Sequence, residues 1–152
     1  MTPSLQIMKN LITFTREHCL EHRTFTGAFI VKENNVIAKA MTTIETDQDR
    51  LAHAEMNVIK SASMKVGMDL NGCVLYTTQK PCPMCASAMV WSSIGGVVYG
   101  WNGLPGNGRP NRQWKGVDDL KKFLSQFNVE CVGPFLEKDC KEIDDYLRIN
   151  GI

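Results

Sequence analysis

Two short segments, His53-Ala54-Glu55 and Pro81-Cys82-Pro83-Met84-Cys85, constrain this chain more than any other stretch. They hold one imidazole, one carboxylate and two thiols, each grouped at the spacing of metal ligands. A catalytic zinc takes three protein ligands and keeps a fourth position open for water. His53, Cys82 and Cys85 fit those three places, which leaves Glu55 beside the metal as a proton carrier. A fold that uses these residues must bring two distant segments to one point.

Each segment alone is a weaker signal. A lone H-x-E occurs by chance. C-x-x-C also serves redox chemistry at a helix start after a strand. A structural zinc site needs four protein ligands, and His18 and His22 are the spare imidazoles, on a different predicted helix. The two motifs together, with a proline before Cys82, favour catalytic zinc over a redox or structural module.

The chain has 152 residues, 43% of them hydrophobic and 22% charged, which suits one compact domain over 1–152 with a real core. A net charge of +1 argues against binding nucleic acid mainly through phosphates, although a local basic patch can suffice. No apolar run reaches the roughly 20 residues a membrane helix needs. Met1 to Asn10 has no basic start followed by an apolar stretch, so no secretory signal is expected. Of the six cysteines, Cys19, Cys73, Cys131 and Cys140 are scattered through apolar or mixed segments. They read as small buried side chains of a reduced, cytoplasmic protein.

Helical spacing of Leu5, Ile7, Met8, Leu11, Ile12 and Cys19 predicts a helix from Ser4 to about Glu21, capped by Ser4. Thr26 to Val31 and Val36 to Met41 read as paired strands around the turn Glu33-Asn34-Asn35. Thr42 to Arg50 reads as a polar loop. A helix follows from near His53 to about Lys65, then a strand over Cys73 to Thr78. Pro81 and Pro83 bracket the start of a helix carrying Ala86, Met89, Val90 and Trp91. Val97 to Tyr99 is a strand, Trp101 to Lys115 a loop rich in Gly, Asn and Pro, and Val117 to Phe127 a helix. Val129 to Val132 and Glu137 to Arg148 close the pattern as strand and helix. Alternating strands and helices imply a layered α/β domain with a partly parallel sheet, whose ligands gather beyond the carboxyl ends of strands.

Cys82 and Cys85, three apart at a helix start, share one side of that helix, where free amides and the helix dipole favour thiolates. His53 belongs to another helix, so a metal ties the two together. Glu55, two residues on, faces across the open metal position rather than ligating. Water activated near neutral pH would attack an amidine-type carbon, Glu55 would relay the protons, and ammonia would leave.

These motifs, with Gly27-Ala28-Phe29-Ile30-Val31, Asp49-Arg50-Leu51-Ala52 before His53, and Ile94-Gly95-Gly96-Val97-Val98-Tyr99-Gly100, resemble the cytidine and deoxycytidylate deaminase superfamily over nearly the whole chain. Within the superfamily the chain looks most like the branch that holds bacterial guanine deaminases and tRNA adenosine deaminases. The resemblance implies a three-layer αβα sandwich with a mixed five-stranded sheet, one zinc per subunit held by His53, Cys82 and Cys85, Glu55 as proton shuttle, and a homodimer.

The chain departs from that pattern in three places. Thr42 stands where many relatives place a base-reading Asn, and a hydroxyl lacks the paired donor and acceptor of an amide. Thr77-Thr78-Gln79-Lys80 precedes Pro81 where tRNA deaminases typically carry Leu-Glu, and the segment from Trp101 to Gly108 is longer and less charged. All three favour a small free base, guanine first, over tRNA. The basic residues Arg109, Arg112, Lys115, Lys121 and Lys122 keep tRNA in view, and cytosine or a nucleoside stays open. Thr42 and Ala54, with Phe25 and Trp101 as ring contacts, are the candidate substrate residues, and Trp91 is a candidate core or dimer contact.

Overall fold

A computed structural model describes residues 1–103, 113–116 and 118–152. Arg109, Arg112, Val117 and the middle of the Gly-rich loop lie outside the described residues. The first helix, α1, spans Leu5–His22, and Ser4 Oγ accepts from the Ile7 amide at 3.2 Å, so the predicted cap forms. Its buried residues Ile7, Met8, Leu11, Thr15 and Cys19 fall on one stripe at helical spacing.

Strands β1 (Gly27–Lys32) and β2 (Asn35–Met41) form the expected hairpin. The segment read as a polar loop contains a short helix, α2, at Ile44–Asp47. A single turn without buried residues leaves no hydrophobic period to detect. Then come α3 (Ala54–Val66), β3 (Cys73–Gln79), α4 (Pro83–Trp91) and β4 (Gly96–Trp101). The chain closes with α5 (Asp119–Ser125), β5 (Glu130–Val132) and α6 (Glu137–Ile149). Trp101 thus ends a strand instead of opening a loop.

The sheet order is β2-β1-β3-β4-β5. β1 runs antiparallel to β2 and β3, whereas β3, β4 and β5 are parallel. Helices α1 and α6 pack on one face, and α3, α4 and α5 belong to the other, giving the mixed five-stranded sheet and three-layer αβα sandwich expected from the sequence. Alternation along β1 divides the core between the faces. Ala28 and Ile30 join Val58, Met89 and Leu120, while Phe29 and Val31 join Met8, Leu11 and Cys140. Each fully buried side chain of the size of Leu75 or Ile94 contributes roughly 1.5–3 kcal/mol.

Gly100 is required by this packing, because a Cβ there would strike Cys140 Sγ on α6 and come within 2.8 Å of the Thr78 carbonyl. Cys19, Cys73 and Cys140 are buried, Cys131 is half-buried, and all are free thiols. Burial pushes the Cys131 thiol up to about 11 and that of Cys140 up to about 12, which keeps them protonated and inert. Among the described residues, no helix is long and apolar enough to cross a membrane.

Candidate metal centre and active site

The two motifs meet on the α3/α4 face of the sheet. His53 is the N-cap of α3 and Cys82 the N-cap of α4, both in extended backbone, and neither side chain caps its own helix. Pro83 sets the first turn of α4 and contributes no amide that would need a cap. The freed side chains turn towards each other. Cys82 Sγ lies 3.7 Å from His53 Nδ1, and Cys85 Sγ lies 3.5 Å from the same atom.

One ligand atom from each of His53, Cys82 and Cys85 lies within 4.8 Å of the other two, the group among the described residues arranged to hold a metal ion. Ligands about 2.0–2.3 Å from a tetrahedral zinc stand roughly 3.5–3.8 Å apart, so the imidazole–thiol separations fit that ion. The donor set, one nitrogen and two sulfurs, is also that of a zinc site with one position left open.

Glu55, in the first turn of α3, is 3% exposed, and its Oε2 lies 3.7 Å from Cys85 Sγ. Thr77 Oγ1, from the carboxyl end of β3, donates to Glu55 Oε1 at 3.0 Å. Burial pushes the Glu55 carboxyl above its usual range, and the negative Cys82 sulfur adds to this. Its own backbone amide, the His53 charge and the Thr77 hydroxyl pull the other way. A carboxyl kept dry and raised in this way is suited to taking and returning a proton near neutral pH.

The two thiols share protons unequally. Donation from the Cys85 thiol, followed by His53, holds Cys82 well below the usual thiol range. Cys85 is held above that range because its proton serves Cys82, with burial and the Glu55 charge acting in the same direction. A dication held here would favour both thiols as thiolates, and the amino ends of α3 and α4 favour the same charge.

The neighbouring residues separate into two groups. Thr42 Oγ1 accepts the Ala54 amide at 3.0 Å, so Thr42 takes over the cap that His53 has given up and stands at the metal-bearing turn. Its hydroxyl proton is left to donate elsewhere. Phe25 and Trp101 do not come to this turn. Their rings meet at 5.5 Å with a T-shaped geometry, and both pack in the cluster formed with α1 and α6. Trp101 is 5% exposed. Trp91 is 88% exposed, which removes it from the core.

Thr77 was not legible as a site residue. Thr77 carried one signal, alternation with Leu75 on the face towards α3 and α4. Trp114 also supports the site, since its Nε1 donates to the Pro81 carbonyl at 2.7 Å and fixes the turn into α4.

Residues 1–101 match the model of the cytidine and deoxycytidylate deaminase zinc-binding region. The chain belongs to this family. The family is one of zinc-dependent aminohydrolases, and zinc is the cofactor that the His53, Cys82 and Cys85 cluster fits. The chain is 38% identical over 117 residues to the tRNA-specific adenosine deaminase of Aquifex aeolicus (strain VF5), covering 66% of this chain and 78% of the relative. It is 40% identical over 74 residues to the guanine deaminase of Bacillus subtilis (strain 168), covering 48% of this chain and 47% of the relative, about half its length. The solved guanine deaminase from Nitrosomonas europaea superposes over 97% of this chain and 86% of its own, with a TM-score of 0.80 and 17% identity, a likeness of fold.

Proposed function

We propose that this chain, as one domain, hydrolyses the exocyclic amine of a free purine-like base, with guanine the first substrate, and releases ammonia. The observation that carries the reading is the buried Glu55 carboxyl, held by Thr77 at 3.0 Å and standing beside a three-ligand cluster with a position to spare. Zinc, held by His53, Cys82 and Cys85, supplies Lewis acidity that makes water nucleophilic near neutral pH. Glu55 takes one proton from the attacking water and delivers it to the ring nitrogen next to the amine. The second water proton passes through Glu55 to the departing amine. The carbon–nitrogen bond breaks, a carbonyl takes its place, and the amine leaves as ammonia. The Thr42 hydroxyl and Ala54, adjoining His53 and Glu55, are the substrate contacts we assign. Phe25 and Trp101 lie in the cluster with α1 and α6, and we assign them no substrate contact.

Deamination of adenosine in tRNA is the second reading, favoured by the Aquifex relative. A target base must then be flipped into the site or presented by a loop. Ammonia release from zinc-loaded protein should be screened on guanine, cytosine, adenosine, cytidine and an anticodon-stem RNA. Release from guanine is expected; release from RNA with none from any small compound would replace the first reading with the second.

We further assign a cytoplasmic location, consistent with the free thiols, and a homodimer. Met68 and Trp91 are 86% and 88% exposed, and the Leu70 amide bonds the Ser92 carbonyl at 2.8 Å, which brings both to one junction. Met64, 89% exposed, lies in the last turn of α3. A second copy of this chain would bury these side chains. Light scattering should give twice the 17.0 kDa chain mass, and Trp91→Glu should return it to one; a monomeric parent at micromolar concentration would contradict the assignment.

A further inference from the structure

We infer that Asn57 is a positioning residue for the metal centre, acting through His53; the inference rests on zinc ligation by His53. Asn57 lies one turn beyond His53 on α3, and its amide nitrogen donates to the His53 carbonyl at 2.9 Å. Side chains on a helix lean towards its amino end. The Asn57 carboxamide therefore reaches back under the turn that carries the ligand. There Nδ2 meets the Met41 carbonyl at 3.0 Å, Thr43 Oγ1 at 2.9 Å and the Ala52 carbonyl at 3.4 Å.

Those three acceptors lie on both strands of one loop. Met41 is the last residue of β2, Thr43 begins the excursion through α2, and Ala52 ends it immediately before His53. The Thr43 amide also donates to the Ala52 carbonyl at 2.9 Å and closes the loop at its neck. Asn57 is thus a clamp across that neck, one residue from the imidazole. Two N–H groups serve three acceptors, so the 3.4 Å contact is the weakest, and the main grips are on Met41 and Thr43. The carboxamide orientation is fixed by chemistry, because two of the acceptors are backbone carbonyls and only the NH2 side can meet them.

The clamp sets where the His53 backbone sits relative to Cys82 and Cys85, which belong to a different helix. Removing it frees the imidazole to drift from the common point with the thiols. Groups that orient metal ligands from outside are worth roughly 10–100-fold in affinity or activity.

Asn57→Asp tests this with no change in size. It sets carboxylate oxygens against two carbonyls and deletes both donors. Zinc affinity should be measured by competition with a chelator on protein that circular dichroism shows to be folded. The variant is expected to bind zinc roughly 10–100-fold more weakly than the parent. Thr43→Val, which removes one acceptor and keeps the carbonyl grips, is expected to shift affinity less and in the same direction; if Asn57→Asp does not fold, Thr43→Val decides. Parent-like zinc affinity with only a lower melting temperature would overturn the inference and leave Asn57 a structural residue. A parent that binds no zinc would instead defeat the metal-centre reading itself.

Discussion

Glu55→Gln is expected to keep one zinc per chain and to lose roughly 10²–10⁴-fold in ammonia release, the range general acid–base groups contribute. The substitution keeps the shape of the side chain. Its amide oxygen can still accept from Thr77 Oγ1, which donates to Glu55 Oε1 at 3.0 Å. The metal ligands are untouched, so the loss falls on proton transfer alone. Metal analysis alongside turnover separates the two; an active variant would remove Glu55 from its role.

The same substitution has a signature in stability. Burial raises the Glu55 carboxyl above its usual range. A carboxyl raised on folding gives stability that is fully present below its unfolded pKa of about 4.3 and lost as pH rises through the folded value. Glutamine has no such loss. Metal-free Glu55→Gln should therefore melt higher than metal-free parent at neutral pH, and the gap should close on acidification. Equal melting temperatures at neutral pH would show that the carboxyl is better solvated than its 3% exposure indicates.

The second large effect is expected from Cys82→Ala. Cys82 opens α4 and His53 opens α3, so zinc held by both would add a strong cross-link where the two helix starts otherwise meet through weak sulfur contacts. Zinc at a thousandfold excess over its dissociation constant stabilises the native state by about 4 kcal/mol. At 2–4 °C per kcal/mol for a chain of this size, that is roughly 8–16 °C in melting temperature. The parent should show this rise on zinc addition. Cys82→Ala should not, and should melt near the metal-stripped parent, because the core cluster containing Val58, Leu75 and Met89 remains. A zinc-induced rise of parent size in Cys82→Ala would exclude Cys82 as a ligand.

The cluster of His53, Cys82 and Cys85 was legible in the sequence because few residue types bind zinc and their spacing along a helix start is restrictive. A layered α/β domain with a partly parallel sheet followed from strands alternating with helices, the three-layer order came from the family resemblance, and Ser4 announced its cap by residue type. Phe25 and Trp101 were misleading for a geometric reason. A residue near a strand end can serve either face of a sheet, and both rings went to the α1/α6 side. Thr77 and Asn57 were illegible because each takes its role from a partner brought opposite by the fold: Glu55 for Thr77, and the neck of the β2–α3 loop for Asn57. Thr42 was read as a possible substrate contact, and the structure adds a bond to the Ala54 amide at 3.0 Å that orients it.

Ammonia release from guanine, measured side by side on zinc-loaded parent, metal-stripped parent and zinc-loaded Glu55→Gln, tests the account most directly. The account predicts release by the first alone, recovered in the stripped protein by one equivalent of zinc. Undiminished release by the stripped protein, or by Glu55→Gln, would contradict it.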